Sequence, residues 1–202
     1  MARFPFNVSA YTARLIGREN VSRLESAILE LVKNAYDADA TVCALYYEDS
    51  TGTLYIADNG TGMTEEVILR HWMTIGNSSK VESFRSPSGR IQTGAKGIGR
   101  FALDRISDRS VMFTTSSNSK LEWKVNWSDF DTRNAITEIY ADLNQVHYDF
   151  NNFVRDAKNI YFKELINKYF NATGTVFKLA SLRDAWTDKL INDIRNNLQT
   201  LI

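Results

Sequence analysis

Apolar residues recur at helical spacing between residues 22 and 38. Leu24, Ile28, Leu31, Val32 and Ala35 share one face there and predict an amphipathic helix. The next two apolar runs, "TVCALYYED" and "TLYIAD", are short, rich in β-formers and separated by "STG", which predicts two strands joined by a turn. Thr64 is placed to cap a helix that carries Glu65 and Glu66 in its first turn and runs to about Trp72. Between residues 76 and 99 no period emerges. Gly, Ser, Lys and Arg dominate, Pro87 interrupts, and a loop of that length inside a compact domain is usually functional. "GRFALDRI" reads as a short helix opening from glycine, followed by three strands in "RSVMFTTSS", "KLEWKVNW" and "AITEIYADL". Residues 151–170 return to helical spacing, "TGTVFKLAS" predicts a last strand and "DAWTDKLINDIRNNLQTLI" a last helix. Strands grouped together, with helices before and after, predict an α+β sandwich rather than a parallel doubly wound sheet.

At 202 residues the chain suits one domain, 1–202, with a sizeable core. It divides into an N-terminal arm (1–20), a long loop, a helical insertion (143–172) and a C-terminal helix (185–202). Lys plus Arg equals Asp plus Glu at 24 each, which argues against a nucleic-acid-coating surface. The single Cys43 cannot form an internal disulfide and sits in an apolar stretch, where packing is its expected role. No apolar run reaches the length of a membrane span, and "MARFPFNVSAYTARL" lacks the core of a signal peptide. The cytoplasm is the expected compartment, with no membrane partner.

Three stretches carry candidate chemistry. On the first helix Glu30 and Asn34 lie four residues apart and Asp37 seven from Glu30, so at roughly 100° per residue they cluster opposite Ile28 and Ala35. A solvated polar face would look the same, yet Asn34 is a mediocre helix former with no capping task in mid-helix. A carboxylate beside an amide oxygen suits a hard cation and an activated water. In "IADNGTGMT", Asp58 ends an apolar strand, and Gly60 and Gly62 allow a sharp turn close to a ligand. An ordinary hairpin also uses Asp-Asn-Gly, but a helix rather than a strand follows here. A strand-end Asp can accept a hydrogen bond from an amine with high specificity. In "GRIQTGAKGIGRFALD", Gly94, Gly97 and Gly99 precede a helix, so backbone N–H groups can cradle phosphate. Neither familiar nucleotide fingerprint fits that spacing.

In this order the three stretches resemble the GHKL superfamily of gyrase B subunits, ninety-kilodalton heat-shock chaperones, histidine kinases and MutL proteins. "ELVKNAYDADAT" is similar to its helix motif, "DNGTGM" to its adenine-site motif and "TGAKGIG" to its glycine-rich lid hinge; "GTVFKL" resembles the late strand closing the adenine pocket. "HWMTIGNSSK" resembles the lid entrance of MORC-type and related prokaryotic ATPases. The resemblance spans about residues 22–180. It implies a Bergerat-type two-layer sandwich, a mixed and mainly antiparallel sheet with helices on one face, and ATP between the layers.

The resemblance also implies roles. Glu30 would be the general base polarising the attacking water, and Asn34 would hold Mg²⁺. Asp58 would receive the adenine amine with Thr175 supporting it through water, Gly60, Gly62 and Met63 would line the base, and the small Ala38 would let the chain pass close. Ser79, Lys80, Gly94, Lys96 and the backbone of Gly97, Ile98, Gly99, Arg100 and Phe101 would meet the phosphates, with residues 76–96 as an ATP lid. Lys80 and Lys96 also read as solvated lid charges, and Asp37 as a structural residue fixing the helix end.

Histidine kinases of the superfamily lack a Glu at the position of Glu30, and neither His71 nor His147 sits on a dimerisation hairpin, so hydrolysis is expected. Its implied uses are an ATP-gated clamp on DNA or a chaperone-like switch with protein clients, with a non-hydrolysing nucleotide module as the third reading. Relatives that hydrolyse ATP generally do so as dimers with crossed N-terminal segments, so the resemblance implies a homodimer on ATP binding. The apolar pattern at the end, "NNLQTLI", and the lack of a second domain predict an N-terminal part of a longer protein.

Overall fold

The computed structural model describes residues 8–19, 21–75, 85–92 and 99–199. Six strands make one sheet: β1 (Cys43–Glu48), β2 (Thr53–Asp58), β3 (Ser107–Thr115), β4 (Lys120–Asn126), β5 (Asp142–Gln145) and β6 (Gly174–Leu182). Their order is β1-β2-β6-β3-β4-β5, and every ladder among the described residues is antiparallel. The helices are α1 (Ala10–Glu19), α2 (Leu24–Asp37), α3 (Glu65–Val67), α4 (Phe101–Ile106), α5 (Asp129–Thr132), α6 (Phe150–Phe153), α7 (Ile160–Tyr169) and α8 (Asp188–Gln199). None of them is long and apolar enough to cross a membrane. This is the α+β sandwich that the strand and helix patterns predict, of the Bergerat type that the resemblance implies.

Alternation along the strands divides the core in two. Leu54 and Ile56 of β2, Met112 of β3 and Phe177 and Leu179 of β6 meet Leu24, Ile28 and Leu31 of α2, the buried side chains of α4 and Ile194 of α8. Their strand neighbours Tyr55, Ala57, Phe113 and Val176 face the other way, onto Phe150, Val154, Phe162 and Ile166. Helices therefore cover both faces: the principal layer lies where it was expected, and α6 and α7, from the 143–172 stretch, cover the second face.

Helix α1 falls within the stretch read from sequence as an arm. Ala10 and Ala13 are buried, and Gly17 lies so close to Phe101 that a Cβ there would sit 2.2 Å from the ring. Arg14 and Arg18 reach across to Asp104 of α4, each with an Nε at 2.8 Å, and Arg183 joins them at 3.0 Å. Asp104 is fully buried and Arg14 is 4% exposed, so this ion cluster is an internal one. Removing one partner from such a pair typically costs about 3–5 kcal/mol.

Two predicted elements differ. Residues 135–143 are not one strand: Ala135 makes an isolated bridge to Ser9, Ile136–Glu138 form a 3₁₀ turn, and the ladder to β4 begins at Asp142. Ile136 and Ile139 both pack on the main core, and a spacing of three suits a turn rather than an alternating strand. The helical pattern of 151–170 is broken into α6 and α7, because Asp149 and Asn159 each cap a new start by accepting a backbone N–H three residues on.

Candidate functional site

Helix α2 buries Ile28, Leu31 and Ala35 and leaves Glu30 and Asn34 half-buried on the adjoining flank. Glu30 accepts a hydrogen bond from Lys33 Nζ at 3.0 Å. Asn34 lies against Gly99, at the entrance to α4: a Cβ on Gly99 would stand 3.2 Å from Asn34 Nδ2. The helix motif and the last glycine of the glycine motif are thereby brought together, although more than the whole first hairpin separates them in sequence.

The Asp-Asn-Gly turn folds back onto the end of the same helix. Asn59 Oδ1 accepts the N–H groups of Thr41 (2.9 Å) and Val42 (2.8 Å), and Thr61 N–H donates to Ala38 O at 2.9 Å. A Cβ at Gly60 would meet Ala38 O at 2.6 Å and Ala38 Cβ at 2.8 Å, which accounts for small residues at both positions. Gly62 takes φ +66° and its Cα faces Thr115 O so closely that a Cβ would lie 2.0 Å away. Only glycine satisfies both demands.

Asp58 sits at the end of β2 on the α2 side of the sheet. Burial pushes its carboxyl up to about 7, against which a single hydrogen bond from Gly60 N–H (3.0 Å) acts. Register places Thr175 of β6 directly beside it, and Thr114 of β3 beside Thr175. Thr114 Oγ1 donates to Gly174 O at 3.1 Å, contacts Thr175 Oγ1 at 3.1 Å and accepts Met63 N–H at 2.9 Å. Asp58, Thr175 and Thr114 thus form a polar row across three strands, with the backbone of Met63 fastened to its far end. Thr114 and Asn59 were not singled out from sequence. Thr114 is recognisable only once β3 is known to pair with β6.

Arg100 and Phe101 were expected to meet the phosphates through their backbone, and both side chains are engaged elsewhere. Phe101 is fully buried, packed against Gly17, Trp127 and Phe130, so only its backbone can meet a ligand. The Arg100 side chain is buried and donates to His71 O at 3.1 Å, at the end of a π-helical turn (Ile68–Trp72) that continues α3. Burial pulls its guanidinium down to about 10, which leaves it charged at neutral pH. Ser79, Lys80, Gly94, Lys96, Gly97 and Ile98 lie outside the described residues.

The family model described as "Histidine kinase-, DNA gyrase B-, and HSP90-like ATPase" matches residues 21–159, more than half of the chain. The chaperone protein HtpG of Pasteurella multocida is 27% identical over 160 residues, covering 71% of this chain and 24% of HtpG. HtpG of Shewanella sp. (strain W3-18-1) is 34% identical over 129 residues, covering 52% of this chain and 20% of the relative. A putative type II restriction enzyme, HgiDII of Herpetosiphon aurantiacus, is 35% identical over 86 residues, covering 43% of this chain and 14% of the enzyme. The chain thus spans about a quarter or less of the length of these three relatives.

Proposed function

This chain belongs to the histidine kinase-, DNA gyrase B- and HSP90-like ATPase family, and on that footing we propose that it binds ATP between α2 and the sheet and hydrolyses it. The observation that carries the reading is the apposition of Asn34 and Gly99, because it joins a carboxamide-bearing helix to the backbone at the entrance of α4. Asp58 accepts the adenine amine, Thr175 supports it through water, and Gly62 and Met63 border the base. A carboxyl this reluctant to ionise gains most from a donor that favours its charged form. The phosphates extend towards Asn34 and the backbone of Gly99 to Phe101, with Ser79, Lys80, Gly94, Lys96, Gly97 and Ile98 completing their surroundings. Glu30 polarises the attacking water, and it must exchange its bond to Lys33 for that water.

Among the described residues no group of three or more His, Cys, Asp or Glu is placed to hold a metal ion. One amide oxygen and one nearby carboxylate fit a hard cation that takes most of its oxygens from the triphosphate and water, which is how Mg²⁺ commonly binds. Asn34 would hold it, and when bound it neutralises phosphate charge.

Calorimetric titration with Mg-ATP and a phosphate-release assay test the reading. Glu30→Ala should keep ATP affinity within a few-fold and lose turnover by roughly a hundred-fold or more. Normal turnover in that variant removes Glu30 from the mechanism. A wild-type chain that does not bind ATP ends the proposal, and ATP bound without phosphate release selects the non-hydrolysing module.

Beyond hydrolysis we propose an ATP-driven dimerisation switch in the cytoplasm, serving an ATP-gated clamp of the MORC or MutL kind in DNA transactions. The exposed Tyr11, Leu15 and Ile16 on the outer side of α1 support an intermolecular contact. The alternative is a chaperone-like switch with protein clients, which the HtpG relatives favour. Binding of the complete protein to DNA, falling steeply with salt, selects the clamp. No DNA binding at low salt selects the chaperone.

A further inference from the structure

The stretch Ser86-Pro87-Ser88-Gly89 forms a tight turn, with Gly89 N–H donating to Ser86 O at 2.9 Å and Gly89 at φ +88°. Proline second and glycine fourth are the residues such a turn favours. Ser86 N–H closes onto Arg90 O at 2.9 Å and Arg85 pairs with Ile91, so residues 85–92 make a miniature hairpin.

This hairpin is docked on the corner between α2 and β1. The Asp39 carboxylate accepts Ser86 Oγ at 2.5 Å, Ser88 N–H at 3.0 Å and the Ser88 hydroxyl. Arg90 donates to Tyr36 O (3.2 Å), a terminal carbonyl of α2, and to Ala40 O (2.8 Å) just beyond the helix, and its guanidinium lies 4.8 Å over the Tyr36 ring. Gln92 Nε2 adds a long bond to Asp37 O at 3.4 Å.

Asp39 itself adopts φ +61°, a left-handed conformation that glycine takes without penalty and a side-chain-bearing residue does not. The backbone alone would favour glycine here, and the carboxylate's bonds all go to the hairpin. The same corner seats the candidate site: Ala38 carries the contact with Gly60, and Thr41 and Val42 hold Asn59.

We propose that Asp39 is a conformational latch, which holds the 85–92 hairpin on the α2 corner and whose release loosens the seat of the Asp58–Gly62 turn. The latch stands on its own bonds; its effect on nucleotide rests on the ATP-site reading above. Ser88 is its exposed half, so a negative charge added there opens it by repulsion against Asp39.

Amide hydrogen exchange by NMR, without nucleotide, tests the latch in Asp39→Gly and Ser88→Asp. The glycine variant keeps the left-handed turn free of strain, so the fold is retained. In both variants the amides of Ser86, Ser88 and Gly89 should exchange at least about tenfold faster, with the amides of β2, β3 and β6 unchanged. Unchanged exchange at the hairpin in both variants overturns the latch. Dissociation of a non-hydrolysable ATP analogue should accelerate by several-fold in the same variants; faster hairpin exchange with an unaltered off-rate overturns the coupling to the site. If the wild-type chain binds no ATP, the nucleotide reading fails, and the exchange measurement still decides the latch.

Discussion

The hydroxyl of Thr114 holds the backbone N–H of Met63 at 2.9 Å, and in doing so ties the turn after β2 to β3, two places along the sheet. Met63 is the residue assigned to border the base, so its position is set by a side chain that need not touch the ligand.

Thr114→Val keeps the volume and removes the acceptor, leaving a part-buried N–H unsatisfied at a cost of about 1 kcal/mol. ATP affinity should fall several-fold, and Thr114→Ser should restore most of it. Calorimetry on the two variants checks this. Equal affinity in valine and wild-type proteins would remove Thr114 from the site.

Asp58 gives the site a pH dependence. Its folded value of about 7 lies above the ordinary 3.8, so the stability contribution is fully present below the unfolded value and is lost as pH rises through about 7. Nucleotide binding runs the other way, because the adenine amine needs the charged acceptor. Affinity should weaken by up to about tenfold per unit as pH falls below 7. Asp58→Asn, which presents its own donor, should bind poorly at every pH. A wild-type affinity flat from pH 5.5 to 8 would dissociate Asp58 from the amine.

Glu48 works in the opposite sense. Hydroxyl bonds from Ser50 (2.6 Å) and Tyr46 (2.5 Å) and the N–H of Lys158 (2.9 Å) hold its carboxyl down at about 2. Stability from this group is present above the unfolded value of 4.5 and is lost as pH falls from there through about 2. The bond to Lys158 joins the end of β1 to the segment between α6 and α7. Thermal unfolding of Glu48→Gln should therefore converge with wild type at pH 2 and lie below it at pH 6; parallel curves would contradict the assignment.

Tyr11 and Leu15 are 57% and 44% exposed on one side of α1, four residues apart. Tyr11→Ser with Leu15→Ser should leave the melting temperature and ATP affinity nearly unchanged, since neither residue belongs to the core. Sedimentation with an ATP analogue should show a dimer for wild type and a monomer for the double variant, because a ligand favours whichever state it binds better. A monomeric wild type at high protein concentration would end the dimer proposal for this chain.

What the sequence could yield depended on the range of the forces involved. Strands β1 and β2, helix α2 and the Thr64 cap, which accepts Val67 N–H, follow from local period and capping chemistry. The break between α6 and α7 was missed because Asp149 and Asn159 override an otherwise helical spacing with short side-chain bonds. Asp58 and Asn34 announced themselves as polar residues in apolar settings. Thr114 did not, since a threonine in a strand is ordinary until its cross-strand neighbours are known. The bond from the Arg100 side chain to His71 O was not legible either, because it depends on burial rather than on the glycine motif.

The arginine cluster around Asp104 has a bearing on where this domain can be cut. The family match spans residues 21–159, yet Asp104 is gripped from outside that span on both sides, by Arg14 and Arg18 ahead of it and Arg183 behind. The packed unit is wider than the stretch that the family model matches. A fragment trimmed to the shared stretch would strand a fully enclosed carboxylate without any of these three counter-charges, and would also forfeit β6 from the middle of the sheet. Such a piece should aggregate on expression, whereas one running from before Val8 to beyond α8 keeps its keystone.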